Sequence, residues 1–218
     1  MVEAYLEKEQ RYFSIPRKDL LPFVPENLER ALDVGCGDGN FAELITNEKC
    51  CREVWGIEPY FKSKNDTSLK LKKIFHTSIE GSLDELPDGH FDCIFFNDVL
   101  EHLVEPGKVL EDIKGKLRKD GAVIASIPNI LHFETIYKIL RNLDWRYENA
   151  GIMDKTHLRF FTKKSMVRMF ESSGYKVDLI QGLNPEFGRK FKVLNFIAGG
   201  RIEEMKYVQM VVKASPLF

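Results

Sequence analysis

The sequence predicts an α/β protein with a doubly wound, mostly parallel sheet. Short apolar segments alternate with helical segments from residue 31 onward, which is typical of parallel strands joined by helices. The run FDCIFF at 91–96 is apolar without alternation, as expected for a strand buried on both faces. Right-handed crossovers bring the carboxyl ends of parallel strands to one edge, where open α/β sheets bind ligands. Strands are predicted at 31–34, 53–57, 73–77, 91–96, 122–127, 175–182 and 206–214.

Helical periodicity and stop signals lie between these strands. Helices are predicted at 3–13, 17–22, 41–49, 106–118, 133–141 and 163–173. Gly121 is predicted to end the helix that Pro106 opens. We interpret residues 1–218 as one domain, in which residues 1–30 form a helical cap and residues 130–161 form an acceptor-site insert or lid.

Composition narrows the classes of partner. The chain has 218 residues, 44 % of them apolar, and a formal net charge of −1, which points neither to nucleic acid nor to an anionic membrane. No apolar run reaches the roughly 18 residues that cross a bilayer, and the acidic N terminus does not resemble a secretory signal. The cysteines lack metal-ligand spacing, so we expect reduced thiols, a cytoplasmic location and no metal site. These cysteines are Cys36, Cys50, Cys51 and Cys93.

A glycine-rich turn joins the first strand to the helix after it, in the stretch ALDVGCGDGN at 31–40. Glycine tolerates positive φ and lets a ligand approach the backbone, and the N–H groups at a helix start point toward that ligand. Asp33 lies near the end of the buried strand, so its charge needs turn amides or a ligand ammonium. The spacing G-x-G-x-G differs from the dinucleotide fingerprint, whose third glycine is replaced by Asn40. The glycines are Gly35, Gly37 and Gly39.

Glu58 follows the second strand, about 20 positions after the glycine turn. An acidic residue at this spacing holds the two hydroxyls of a ribose, so the pattern indicates an adenosine ligand without a 2′-phosphate. The alternative is a solvated loop glutamate.

Several motifs in order resemble the class I S-adenosylmethionine (SAM)-dependent methyltransferases over roughly residues 12–180. They are DVGCGDGN with Glu58, then FDCIFFNDVLEHL, AVIASIPN and DKTHLRFFT. The last motif is similar to a signature of small methyltransferases that accompany glycan and polysaccharide biosynthesis, and it recurs in ubiquinone-type O-methyltransferases. The resemblance implies a Rossmann-like, three-layer α/β/α fold whose seven-stranded sheet has one antiparallel strand. It also implies SAM as cofactor and S-adenosylhomocysteine (SAH) as product.

The resemblance further implies which residues bind the cofactor. Ser78 stands where the family usually has an aspartate against the adenine amine, so backbone groups of Ile79 or Glu80 are expected to bind adenine. Arg17 is expected to approach the cofactor carboxylate, with Arg11, Lys18, Tyr5 or Tyr12 as alternatives. The other cofactor residues are Asp33, Gly35, Cys36, Gly37, Gly39, Glu58, Pro59, Asn97, Asp98 and Val99.

His102 and His157 are the candidate general bases, because imidazole titrates near neutrality. Each has a structural alternative. His102 lies with Glu101 in a short helical turn, and His157 belongs to a polar loop in which a buried His–Arg–Asp network would restrain the chain.

The predicted reaction is methyl transfer from SAM to an oxygen or nitrogen of a small molecule. A sugar or glycan precursor is the first acceptor class, and a quinone or small aromatic molecule is the alternative. Two other readings stay open: an NAD-dependent oxidoreductase, which the glycine spacing disfavours, and a non-catalytic SAM-binding partner protein. A homodimer is compatible with the sequence.

Overall fold

The computed structural model describes residues 16–60 and 70–218. The predicted helix at 3–13, with Tyr5, Arg11 and Tyr12, lies outside the described residues. Within them, seven strands form one sheet in the order β3-β2-β1-β4-β5-β7-β6. The strands are β1 Arg30–Val34, β2 Glu53–Ile57, β3 Lys73–Phe75, β4 Phe91–Asn97, β5 Leu117–Pro128, β6 Tyr175–Pro185 and β7 Tyr207–Pro216.

The sheet confirms the predicted mixture of strand directions. β7 is antiparallel to both of its neighbours, β5 and β6, whereas the pairs among β1 to β5 are parallel. The chain runs outward from β1 through β2 to β3 and then returns to place β4 on the other side of β1. This reversal creates a crevice at the carboxyl ends of β1 and β4, the usual ligand site in such sheets.

The helices cover both faces of the sheet. They are α1 Asn40–Lys49, α2 Ile79–Ser82, α3 Pro106–Ile113, α4 Phe133–Asn142, α5 Lys163–Ser172 and α6 Arg189–Ile197. Short 3₁₀ helices lie at Lys18–Phe23, Leu83–Glu85, Leu100–His102, Lys114–Lys116 and Glu203–Lys206. No helix in the described part of the chain is long and apolar enough to span a membrane.

Alternate residues of β4 pack into separate cores, which confirms the three-layer arrangement. Cys93 and Phe95 join the core beneath α1, where the Phe41 and Phe95 ring centroids are 5.0 Å apart. Ile94 and Phe96 join the other core, which contains apolar side chains of α3 and α5. Because both faces of this strand are covered, the sequence can carry an apolar residue at nearly every position.

The predicted helix at 106–118 is too long. α3 ends at Ile113, a 3₁₀ turn follows, and β5 already begins at Leu117. Gly121 therefore lies inside β5 rather than at a helix end. A Cβ atom there would lie 3.0 Å from the carbonyl oxygens of Arg118 and Phe91, so the glycine permits a close backbone approach instead of a helix stop.

Candidate active site

A cavity of about 300 Å³ opens at the crevice between β1 and β4. It brings together the predicted cofactor residues from the four strand ends, with Arg17 and His102. Gly39 and His157 are not among the described residues that line it. Several other lining residues have no predicted role in cofactor binding, although each lies in or within a few positions of a predicted motif; they are Val34, Asn40, Phe41, Ile57, Tyr60, Leu103 and Val104.

The glycine turn adopts a left-handed backbone that favours glycine. Gly35, Gly37 and Gly39 have φ values of +74°, +50° and +71°. The N–H groups of Gly35 and Cys36 donate to the carbonyl oxygen of Ile57 at 2.8 and 3.1 Å, which ties the turn to β2. A Cβ atom on Gly35 would lie only 2.6 Å from Val99 Cγ2. Gly39 caps the start of α1 and thus sets where the helix begins.

Glu58 is fixed against this turn. Its Oε2 accepts the N–H of Gly37 at 3.0 Å, and its Oε1 accepts the N–H of Tyr60 at 2.9 Å. Burial raises the pKa of Glu58 above its usual value, although the hydrogen bonds from Tyr60 and Gly37 oppose this shift. A carboxylate accepts several hydrogen bonds at once, so Glu58 retains capacity for two ligand hydroxyls.

Buried polar atoms of Asp33 and Asn97 lie at the cavity wall without a hydrogen-bond partner among the described residues. They are Oδ2 of Asp33 and both Oδ1 and Nδ2 of Asn97. Burial, assisted by the charge of Glu58, raises the pKa of Asp33 to about 8. Such atoms cost free energy unless a ligand satisfies them, so their presence fits a bound molecule with a cationic or hydrogen-bonding end.

Arg17 connects the segment before β1 to the far side of the cavity. Its guanidinium forms an ion pair with Asp98 and donates to Ser126 Oγ at 2.9 Å and Gln209 Oε1 at 3.3 Å. Burial lowers the pKa of Arg17, but the carboxylates of Asp98 and Asp19 outweigh this effect and hold it above its usual value. Arg17 thus positions Asp98 while also lining the cavity.

The part of the cavity where adenine is expected to bind lies at α2. Ser78 caps this helix, and its Oγ accepts the N–H of Gly81 at 3.3 Å. Pro59, Ser78, Ile79 and Glu80 line the cavity there. The Ser78 hydroxyl is thus engaged with its own helix, in keeping with adenine recognition by backbone groups.

His102 and His157 lie side by side at the opposite end. Their ring centroids are 4.7 Å apart, and His102 is the one that lines the cavity. His157 lies behind it, 7 % exposed, with Nε2 at 3.9 Å from Glu101 Oε1. His102 therefore lies between His157 and the cavity. His157 could act on an acceptor, as predicted, either through its contact with His102 or after a shift of its loop.

The polar loop that carries His157 is restrained by hydrogen bonds. The N–H groups of Leu158 and Arg159 donate to the carbonyl oxygen of Glu101 at 2.8 and 3.0 Å. Asp154 Oδ1 accepts the N–H and hydroxyl of Thr156 at 2.8 and 2.6 Å. The structural alternative for this motif is a buried polar network, and hydrogen bonds of this kind do hold the loop. Arg159 is not part of it, because its side chain is exposed and donates to the carbonyl oxygen of Val104.

Comparison with known proteins identifies the family. The family described as "Methyltransferase domain" matches residues 5–180. The chain belongs to this methyltransferase family. The cofactor is therefore SAM, the predicted resemblance is confirmed at this level, and the family assignment argues against the oxidoreductase alternative.

Individual relatives agree with the family. The chain is 30 % identical to a trans-aconitate 2-methyltransferase of Rhizobium etli over 119 residues. This aligned region covers 53 % of this chain and 45 % of the relative. The chain is 23 % identical to a ubiquinone biosynthesis O-methyltransferase of Aeromonas salmonicida, over a region that covers 72 % of this chain and 66 % of the relative. The chain thus spans about half the length of the trans-aconitate relatives that it matches.

A solved structure supports the fold. A SAM-dependent methyltransferase from Archaeoglobus fulgidus superimposes with a TM-score of 0.63 at 17 % identity, covering 98 % of this chain and 97 % of that one. The Rossmann-like methyltransferase architecture is therefore shared over nearly the whole length.

The raised pKa of Asp33 predicts that SAM binding depends on pH. We expect the ammonium of SAM to bind beside Asp33 and to favour the ionised carboxylate, so that binding lowers this pKa and releases a proton. Since the pKa of Asp33 in the free protein is raised to about 8, affinity for SAM should rise by up to about tenfold per pH unit between the lower pKa of Asp33 in the complex and this value. Calorimetry between pH 6 and 8, in buffers that differ in ionisation enthalpy, measures the slope and the released proton. Asp33→Asn should flatten the slope, and an equally steep slope in this variant would contradict the assignment.

Proposed function

We propose that this methyltransferase domain moves the methyl group of SAM to an oxygen of a small molecule. The observation that supports it is the arrangement of one cavity between Glu58, at the adenosine end, and His102, at the other end. Transfer to nitrogen is compatible with the same arrangement.

The residues of the chain orient two reactants. When bound, SAM supplies a methyl group made electrophilic by the adjacent sulfonium. Glu58 holds the ribose hydroxyls, Asp33 faces the ammonium, and the Leu100–His102 turn faces the methyl group. The acceptor oxygen forms its bond to the methyl carbon as the carbon–sulfur bond breaks, sulfur keeps the electron pair, and the proton of the acceptor hydroxyl passes to His102 or to water. Alignment and exclusion of water contribute up to about 7–11 kcal/mol in favourable cases.

His102 is the side chain proposed to contact the acceptor oxygen, and His157 supports it from behind. A positioned general base contributes about 10²–10⁴-fold when the acceptor is a hydroxyl. Residues 130–161 remain our proposed acceptor-side segment, because their loop is bonded to the turn that carries His102.

The side chains beside His102 favour an apolar, planar acceptor. Val99, Leu103 and Val104 line this end of the cavity, and they offer shape and apolar contact rather than hydrogen bonds. A hydroxyl on a quinone or small aromatic ring fits that surface, and one relative is named for ubiquinone biosynthesis. A sugar or glycan precursor is the second candidate, supported by the resemblance of DKTHLRFFT at 154–162.

Labelled SAM and a panel of acceptors test this proposal. We expect methylation of catechols or hydroxyquinones at a rate at least about tenfold above sugar nucleotides and glycans. Preferential methylation of a sugar would reverse the order of the two candidates. SAH binding without turnover on any acceptor of the panel would favour the non-catalytic partner instead.

A further inference from the structure

We propose that Glu101, His102 and His157 bind a divalent transition-metal ion at the acceptor end of the cavity. This inference rests on the proposed function and specifies how the acceptor oxygen is held. It departs from the expectation of no metal, which considered the cysteines alone.

The distances suit one ion. A carboxylate oxygen and one nitrogen of each imidazole lie within 4.8 Å of one another. His157 Nε2 and Glu101 Oε1 are 3.9 Å apart. Two ligands that each lie about 2 Å from one ion are separated by about 3–4 Å, so a small adjustment of the side chains completes the site.

The hydrogen bonds of both rings select the nitrogen that binds. His102 Nδ1 lies 3.0 Å from the carbonyl oxygen of Thr156, and His157 Nδ1 lies 2.9 Å from that of Ile152. A carbonyl oxygen only accepts, so each Nδ1 carries a proton, and in the neutral form of each ring the lone pair lies on Nε2. Metal-binding histidines have this same arrangement, in which the outer hydrogen bond fixes the tautomer and the ring orientation.

The surrounding backbone holds the ligands in place before any ion binds. The carbonyl of Glu101 accepts the N–H groups of Leu158 and Arg159, directly after His157. The side chains of Glu101 and His157 are 1 % and 6 % exposed, whereas His102 reaches the cavity. An ion here therefore has two buried ligands and a third ligand, His102, at the cavity where the acceptor is proposed to bind.

The ligand types indicate the kind of metal. Two imidazoles and one carboxylate suit Zn²⁺, Mn²⁺ or Co²⁺ better than Mg²⁺ or Ca²⁺, which prefer oxygen ligands. The acceptor hydroxyl binds the open position, its proton passes to water, and its oxygen is presented to the methyl group. In this role His102 acts as a ligand, and the ion rather than the imidazole activates the acceptor.

Titration of the chelator-stripped chain with Co²⁺ tests the site, followed by calorimetry and visible absorption. We expect one ion per chain, displaced by Zn²⁺, and affinity at least about 100-fold weaker in Glu101→Gln and His157→Asn. His132→Asn removes another buried histidine outside the site and should bind Co²⁺ like the unmodified chain. Retained SAH binding in the ligand variants shows that they are folded.

Three results would overturn the proposal. The unmodified chain binds no stoichiometric Co²⁺ or Zn²⁺; or the ligand variants bind Co²⁺ as tightly as His132→Asn; or methyl transfer is unchanged after complete chelation. The stoichiometry of the unmodified chain decides the matter even where a ligand variant does not fold. Absence of SAH binding in the unmodified chain would contradict the proposed function instead, so the two failures are distinguishable.

Discussion

Glu58→Gln is expected to weaken SAH binding by about 10- to 150-fold, which corresponds to the loss of one hydrogen bond to a charged group. The carboxylate of Glu58 accepts the N–H groups of Gly37 and Tyr60 on its two oxygens, and we propose that it also binds the ribose. The glutamine amide has nearly the same volume, but its NH₂ group opposes one of these N–H donors. Both the turn and the ribose contact are therefore disturbed without a cavity being created. Calorimetric titration with SAH measures the effect.

Glu48→Gln is the matched control, since Glu48 is an exposed glutamate on α1 that does not line the cavity. This variant should bind SAH like the unmodified chain. Equal affinity of the Glu58 and Glu48 variants would show that Glu58 only holds the glycine turn and does not bind the ligand.

Gly35→Ala is expected to lower the free energy of unfolding by about 2–4 kcal/mol, through left-handed strain and a clash. Gly35 has φ +74°, and an added Cβ would lie 2.6 Å from Val99 Cγ2. Since Val99 follows β4, relief of the clash must move two strand ends apart at the cavity. We therefore also expect SAH affinity to fall by at least about tenfold. Urea denaturation and calorimetry measure the two effects.

Gly89→Ala separates the clash from the backbone strain. Gly89 has φ +57°, and no atom lies within 4 Å of the added Cβ. It should lose only the roughly 1–2 kcal/mol of left-handed strain. In the double variant Gly35→Ala/Val99→Ala, part of the lost stability should return. If the Gly35 and Gly89 variants are equally stable, the contact with Val99 has no energetic role.

The sequence predicts well which residues converge at this cavity from the strand ends, because parallel strands determine where those ends lie. Parallel strands bring their carboxyl ends together, so Asp33, Glu58 and Asn97 converge although they are far apart in the chain. The glycine turn is equally predictable from the sequence, since positive φ restricts the residue type. Each of these patterns is local in the sequence, so the strand assignment alone is enough to predict where its residues lie in the fold.

The acceptor end is harder to predict because it depends on contacts between distant segments that have no periodic pattern. The edge-on contact between the rings of His157 and His102 follows from a loop whose N–H groups donate to the carbonyl oxygen of Glu101. The ion pair of Arg17 with Asp98 likewise joins an irregular segment to the end of β4. The prediction for Gly121 is wrong for a related reason. The sequence alone does not distinguish a glycine that permits a close backbone approach within a strand from one that ends a helix.

The most direct test is calorimetric titration of the unmodified chain with SAH and, separately, with NADH. The arrangement of Asp33, Glu58 and Asn97 around one cavity predicts one SAH bound per chain and no binding of NADH. Binding of NADH with no heat from SAH would contradict the assignment of this cavity to the methyl donor.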